Sequence, residues 1–254
     1  MTMMRRFMLM ISTVMAVLTF SAANAYAQWR GSYSSFGGGG GNHSLTFGLS
    51  LLASDQKDLN AVISSHGDTV GTNYKVSELG SGYEFIGQYA YRYDRTMYSL
   101  VIRPTYVTQS TSGDCGTESC KYDLSGFTLF PMLRLTPLEN DFIKFYMQLG
   151  VGYGRLTTEV KQGPNSAKFT GSGFGTMAGV GANFCFNASH CLTVEGNVRY
   201  LSFERNIADS VSGTFAAGSG FSQVESGKEV ERNNSDLATT LSGIQGILAY
   251  TMNF

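Results

Sequence analysis

Beyond its first twenty residues the sequence has no apolar run approaching the ~18 residues that a membrane-crossing helix needs, which excludes a helical membrane protein. Charge is scarce too, at 15% of residues, and slightly acidic in balance, so nucleic acid is not an expected partner. Histidine occurs only at His43, His66 and His190, without a phosphate-loop, dinucleotide or metal motif around it. No cofactor or metal is therefore expected. The triplet Gly171-x-Gly173-x-Gly175 falls in a segment of strand-like alternation, where small residues relieve crowding and need bind no nucleotide.

What is present begins with an export signal. Arg5 and Arg6 precede an apolar stretch from Phe7 to Phe20 and a small-residue site ending Ala25-Tyr26-Ala27, so cleavage is expected before Gln28. No cysteine stands at the new N-terminus, and no lipid attachment is expected. The division is thus a signal peptide over 1–27, a flexible periplasmic lead-in over 28–42 with five consecutive glycines at Gly37 to Gly41, and a β-domain over 43–254. Four cysteines form two close pairs, Cys115 with Cys120 and Cys185 with Cys191. In an exported chain two local disulfides are the simplest of the three possible connectivities, with a zinc site as the alternative.

From His43 onward one pattern recurs eight times: every second side chain is apolar over ten or more residues, and turn residues follow. The clearest instance sets Ile143, Phe145, Met147, Leu149, Val151 and Tyr153 against Lys144, Tyr146, Gln148, Gly150, Gly152 and Gly154. Connections between the segments alternate long and short, the longest running from Ser54 to Gly80 and from Glu204 to Asp236. Seven connections, eight strands, aromatics near the strand ends and small or polar residues on the other face predict an all-β fold. The expected form is an eight-stranded antiparallel up-and-down transmembrane barrel with short periplasmic turns and long extracellular loops.

The carboxyl end, Tyr250-Thr-Met252-Asn-Phe254, alternates apolar residues and finishes on phenylalanine. With the export signal and the eight amphipathic segments, it resembles the small eight-stranded outer-membrane barrel superfamily, which includes the OmpA transmembrane domain, OmpX, the opacity-type surface proteins and OmpW. The resemblance implies residence in the outer membrane of a Gram-negative cell. It also implies that Tyr250, Met252 and Phe254 serve as the signal read by the outer-membrane assembly machinery, with outer-membrane lipids and lipopolysaccharide as surroundings.

Eight strands enclose an interior only wide enough for side chains. The inward positions supply Glu84, Gln88, Arg92, Arg103, Arg134, Lys144, Gln148, Glu195, Asn197 and Arg199, an expected polar network filling the lumen. A charge turned to lipid would instead cost ~2 to 4 kcal/mol at the midplane. The expected role is structural or surface-interacting, through loops 54–80 and 204–236 read as mobile and solvated. A narrow channel or carrier of small hydrophobic molecules is the alternative, and a lipid A-modifying enzyme the third; no enzyme is expected, because a histidine base beside a serine and a carboxylate is not apparent.

Overall fold

The computed structural model describes residues 42–93, 96–215 and 218–254, so the expected signal peptide over 1–27 and nearly all of the expected lead-in lie outside the described residues. Eight strands close on themselves: β1 (His43–Ala53), β2 (Ser81–Arg92), β3 (Tyr98–Cys115), β4 (Glu118–Glu139), β5 (Ile143–Gln162), β6 (Asn165–Cys185), β7 (His190–Phe203) and, last in the chain, β12 (Gly243–Asn253). Each pairs antiparallel with its neighbours, and β12 lies between β7 and β1, so the ring has no edge. At the seam His43 and Phe254 exchange both backbone hydrogen bonds, at 3.1 and 2.9 Å.

The alternation in sequence becomes two faces. Outward side chains such as Phe47, Phe85, Leu133, Leu149 and Val194 are heavily exposed, which only a bilayer can offset over so large an apolar surface. Tyr83, Tyr106, Phe127, Tyr153 and Phe174 bound this belt above, and Tyr89, Tyr98, Tyr250 and Phe254 bound it below, as interfacial girdles do. Leu135 to Phe127 on β4 spans about 27 Å along the strand at ~3.4 Å per residue, enough for a tilted strand to cross the apolar layer.

The ring is uneven in height. β1, β2, β7 and β12 have 11, 12, 14 and 11 residues, whereas β3 to β6 have 18, 22, 20 and 21. Half of the circumference therefore continues above the upper girdle as a four-stranded wall, to which β8 (Asn206–Ser212) adds a fifth strand along β6. Where the alternation of connections predicts long extracellular loops, β3–β4 and β5–β6 are joined by two-residue turns. Each begins on a left-handed glycine, Gly116 at φ 75° and Gly163 at φ 59°, and so matches the twist of the strands it joins.

The two longest connections differ most from expectation. Loop 54–80 contains a helix, α1 (Lys57–Val70), and loop 204–236 carries β8 and the short pair β9 (Glu231–Arg232) and β10 (Ser235–Asp236), with β11 (Thr239–Thr240) following on β7. Both fold over the inner face of the wall instead of standing free in solvent. Leu59, Val62 and Ile63 sit on one face of α1 and are fully buried, each contributing about 1.5 to 3 kcal/mol of apolar transfer. They pack in one cluster with Val107, Leu124, Leu156, Phe169 and Phe203 from the wall and with Phe221, Val230 and Leu237 from the fourth loop.

Candidate functional site

The lumen is built in three levels. At the periplasmic mouth Glu139 is held between Arg92, at 2.6 Å, and Lys144, at 2.9 Å, all three partly exposed. Arg92 and Lys144 were expected within the buried network. The register corrects this: they close the inward rows at the strand ends, where water still reaches them, and form a separate rim cluster.

Above the rim Thr46, Thr251 and Thr193 form a chain of hydroxyls, 2.7 Å per step, ending on Asn183 at 2.9 Å. The charged belt follows. Arg103 grips Glu195 with two guanidinium nitrogens, at 2.7 and 2.8 Å, while its Nε and Nη2 donate to Gln88 Oε1. Tyr146 and Gln148 each donate to Glu195 at 2.7 Å, and Arg134 completes the shell from 3.8 Å while lying 3.9 Å over the Tyr146 ring. Arg134 also donates to Gln148 Oε1 through Nε and Nη2.

A second carboxylate has its own partners. Arg199 Nη2 donates to Glu84 at 2.7 Å, and Ser50 and Gln245 donate to the other Glu84 oxygen. Asn197 joins the two halves, accepting from Gln148 and donating to Gln245 at 2.9 Å. Eight of the ten predicted network residues thus meet, leaving Arg92 and Lys144 aside. Gln245, Ser50 and the threonine chain join the network from the same inward parity of the alternation.

Along the β5–β6 side the inward positions are glycines, and neighbours occupy their space. A Cβ on Gly152 would lie 2.4 Å from the Phe130 ring, one on Gly150 2.3 Å from Met132, and one on Gly181 2.5 Å from Tyr146. The glycines admit large side chains from adjacent strands and leave no bore there.

The third level is apolar and was not anticipated. Inward positions turn from charged to aliphatic and aromatic at Val107, Leu124, Leu156 and Leu201, and the folded loops lid them. Amides stitch this lid to the barrel. Asn60 exchanges two hydrogen bonds with the backbone of Leu79, at 2.9 and 2.8 Å. Gln56 bonds Gln109 and Thr240, Gln162 donates to Ser219 O, and Asn206 donates to Leu237 O. Burial beside Tyr122 also pushes the Tyr74 phenol far above the usual tyrosine range.

The cysteines pair locally. Cys115–Cys120 ties the β3–β4 tip, with Cα atoms 5.7 Å apart, and Cys185–Cys191 ties the last periplasmic hairpin, at 3.9 Å. Among the described residues one His/Cys/Asp/Glu cluster has metal-like spacing, His66 with Cys115 and Cys120, and its two sulfurs are already bonded to each other. His43 hydrogen-bonds the Tyr89 phenol at 2.6 Å, and His190 that of Tyr250 at 2.5 Å, both on the lipid-facing lower girdle. Tyr250 and Met252 share that outward face of β12, and Phe254 follows directly after the strand.

Two prolines interrupt the ladders of the barrel at membrane depth. Pro104 interrupts the β2–β3 ladder between Ile86–Thr105 and Tyr89–Ile102, and Pro131 interrupts β4–β5 between Leu129–Tyr153 and Met132–Gly150. The two prolines are neighbours, since Pro104 faces Leu129 and Pro131 faces Ile102. Beside Pro131 the lipid side carries an apolar groove lined by Leu100, Leu133, Leu149 and Val151.

A closed antiparallel ring of eight strands, apolar outside and filled inside, defines a small transmembrane β-barrel. A solved structure shows the same fold. The outer membrane protein OprG from Pseudomonas aeruginosa matches over 85% of this chain and 98% of its own, at 14% identity and a TM-score of 0.50. Ail, the attachment invasion locus protein of Yersinia pestis, matches over 84% of this chain and 99% of its own, at 10% identity and a TM-score of 0.40. No family model matches the sequence, and comparison with curated proteins finds no match.

Proposed function

We propose that this chain is an outer-membrane surface protein in which the barrel is a closed anchor and the folded extracellular cap is the working part. The observation that carries this reading is the filling of the lumen at all three levels, above all the Arg103–Glu195–Arg134 and Arg199–Glu84 networks, whose charged members are buried and paired with one another. The apparent export signal and the terminal Tyr250, Met252 and Phe254 support delivery to the outer membrane through its assembly machinery. The histidines direct their side-chain hydrogen bonds to phenols or backbone.

Planar-bilayer recording of folded protein tests the closed anchor, after unboiled and boiled samples are shown to migrate differently on a denaturing gel. The expected record has no discrete conductance steps. Reproducible steps would overturn it and make Arg103 and Arg199 the selectivity residues.

A second reading, a carrier of small hydrophobic molecules, draws on the adjacent ladder breaks at Pro104 and Pro131 and the groove beside them. Uptake of an apolar dye into bilayer vesicles containing the protein, lost on substitution of both prolines by residues that restore the ladder, is the result that would favour it over the anchor.

A further inference from the structure

At its periplasmic end the closing strand β12 runs one residue past the start of β7 and is met there by the β6–β7 turn. Asn253 N donates to Ser189 O at 2.8 Å, its side-chain Nδ2 donates to Ala188 O at 3.4 Å, and the same nitrogen lies 3.4 Å from Cys191 Sγ. Beside it His190 hydrogen-bonds the Tyr250 phenol, with the two rings stacked 5.8 Å apart. On the β1 side the His43 ring stacks on Phe254 at 5.9 Å.

The turn is shaped to present these acceptors. Asn187 Oδ1 accepts from both Ser189 N and His190 N, at 2.9 Å each, which curls 187–190 and leaves the Ala188 and Ser189 carbonyls facing β12. Cys185 and Cys191 stand directly opposite each other in the β6–β7 ladder, and their disulfide closes the base of the curl. So short a ring leaves the two carbonyls little freedom even before β12 arrives. The other disulfide, Cys115–Cys120, ties the β3–β4 tip at the far end of the barrel.

We propose that oxidation of Cys185 and Cys191 builds the receptor for the terminal strand, so that closure of the barrel waits on this disulfide. The inference rests on the reading of the chain as an outer-membrane barrel that reaches its membrane from the periplasm. The oxidation is a thiol–disulfide exchange: the two cysteine thiols give two electrons and two protons to a periplasmic disulfide, which leaves as a dithiol. The sealed hairpin then offers fixed acceptors to Asn253, and the ordering that an open hairpin would undergo during docking has been completed beforehand. Such a receptor matters most for β12. Its other neighbour is β1, the most distant pairing in the ring, with Thr46 and Thr251 separated by 205 residues, and a strand already held on the hairpin has a shorter search for that partner.

The test follows full mature protein as it folds from urea into zwitterionic micelles, read as the growth of the compact gel band. With both disulfides formed, Asn253→Ala is expected to slow that growth about fivefold, the scale of one or two hydrogen bonds. In the variant Cys185→Ala with Cys191→Ala, growth is expected to slow by a similar factor, and adding Asn253→Ala is expected to slow it little further, because the acceptors are already loose. Cys115→Ala with Cys120→Ala should fold at the parent's rate. Additive effects, or a parent-like rate in the hairpin variant, would overturn the proposal and leave the disulfide a passive staple. Should the hairpin variant give no band, Cys115→Ala with Cys120→Ala is started reduced, and oxidised glutathione is expected to release the band. A band growing equally fast before the oxidant is added would overturn the proposal. Absence of any compact band from the oxidised parent would instead remove the barrel reading, and the inference with it.

Discussion

Glu195 is the residue on which the polar belt converges, because Arg103, Arg134, Tyr146 and Gln148 all direct hydrogens or charge at its two oxygens. Replacing it by alanine leaves two guanidiniums without their anion in a water-poor interior, a class of change that costs about 3 to 5 kcal/mol. Glu195→Ala is therefore expected to lower the denaturant midpoint for loss of the compact gel band sharply, and Glu195→Gln, which keeps two hydrogen-bonding atoms, by less. Equal effects would mean that charge is not what holds the belt. Gly152 tests the opposite error. A valine there drives its side chain into the Phe130 ring, and overpacking of this kind costs about 1 to 3 kcal/mol. The expected outcome is a less stable barrel in the same assay, with recovery when Phe130→Ala is added.

Among the elements, α1 and the fourth loop separate what alternation can say from what it cannot. The strands were legible because a ladder with one face on lipid imposes period two over ten residues, and the inward charges could be assigned by parity alone. The cap was not read. Its helix presents only Leu59, Val62 and Ile63, an i, i+3, i+4 pattern one turn long among serines, glycines and charges, and loop 204–236 is stitched by side-chain amides that leave no periodic trace. The wall was missed for a related reason: above the membrane its outer face becomes polar and its inner face apolar, which reverses the parity signal just where the strands were expected to end. A folded cap has a measurable consequence. Leu59→Asp with Val62→Asp should make 54–80 a site of rapid protease cleavage on intact cells while the barrel remains heat-modifiable. Equal resistance of variant and parent would mean that α1 is not held by its apolar face. Opening Cys115–Cys120 by serine substitution is expected to change stability little, near the low end of ~0 to 5 kcal/mol, because the β3–β4 ladder already fixes the short loop.

At the scale of the whole molecule, polarity is sorted by height: a rim cluster open to water, a charged belt at membrane depth, and an apolar core under the cap. The order inverts the usual soluble arrangement, since the most polar interior lies where the surroundings are most apolar. The walls are responsible. A narrow ring must fill itself, and within the bilayer its apolar residues are committed to the outside, so inward positions there are left to polar groups that bond mainly to one another. Above the bilayer that commitment lapses, and the ordinary rule returns.

The unequal strands have one more effect. The rim of the described barrel is uneven in height: a parapet occupies the arc from β3 to β6 and a low sill the arc from β7 through β12 to β2. Lateral diffusion randomises where such a body is, but every encounter still depends on its heading. Neighbours with bulky exteriors can come flush against the sill and are held off by the parapet, so crowding acts on this protein as a torque as well as a pressure.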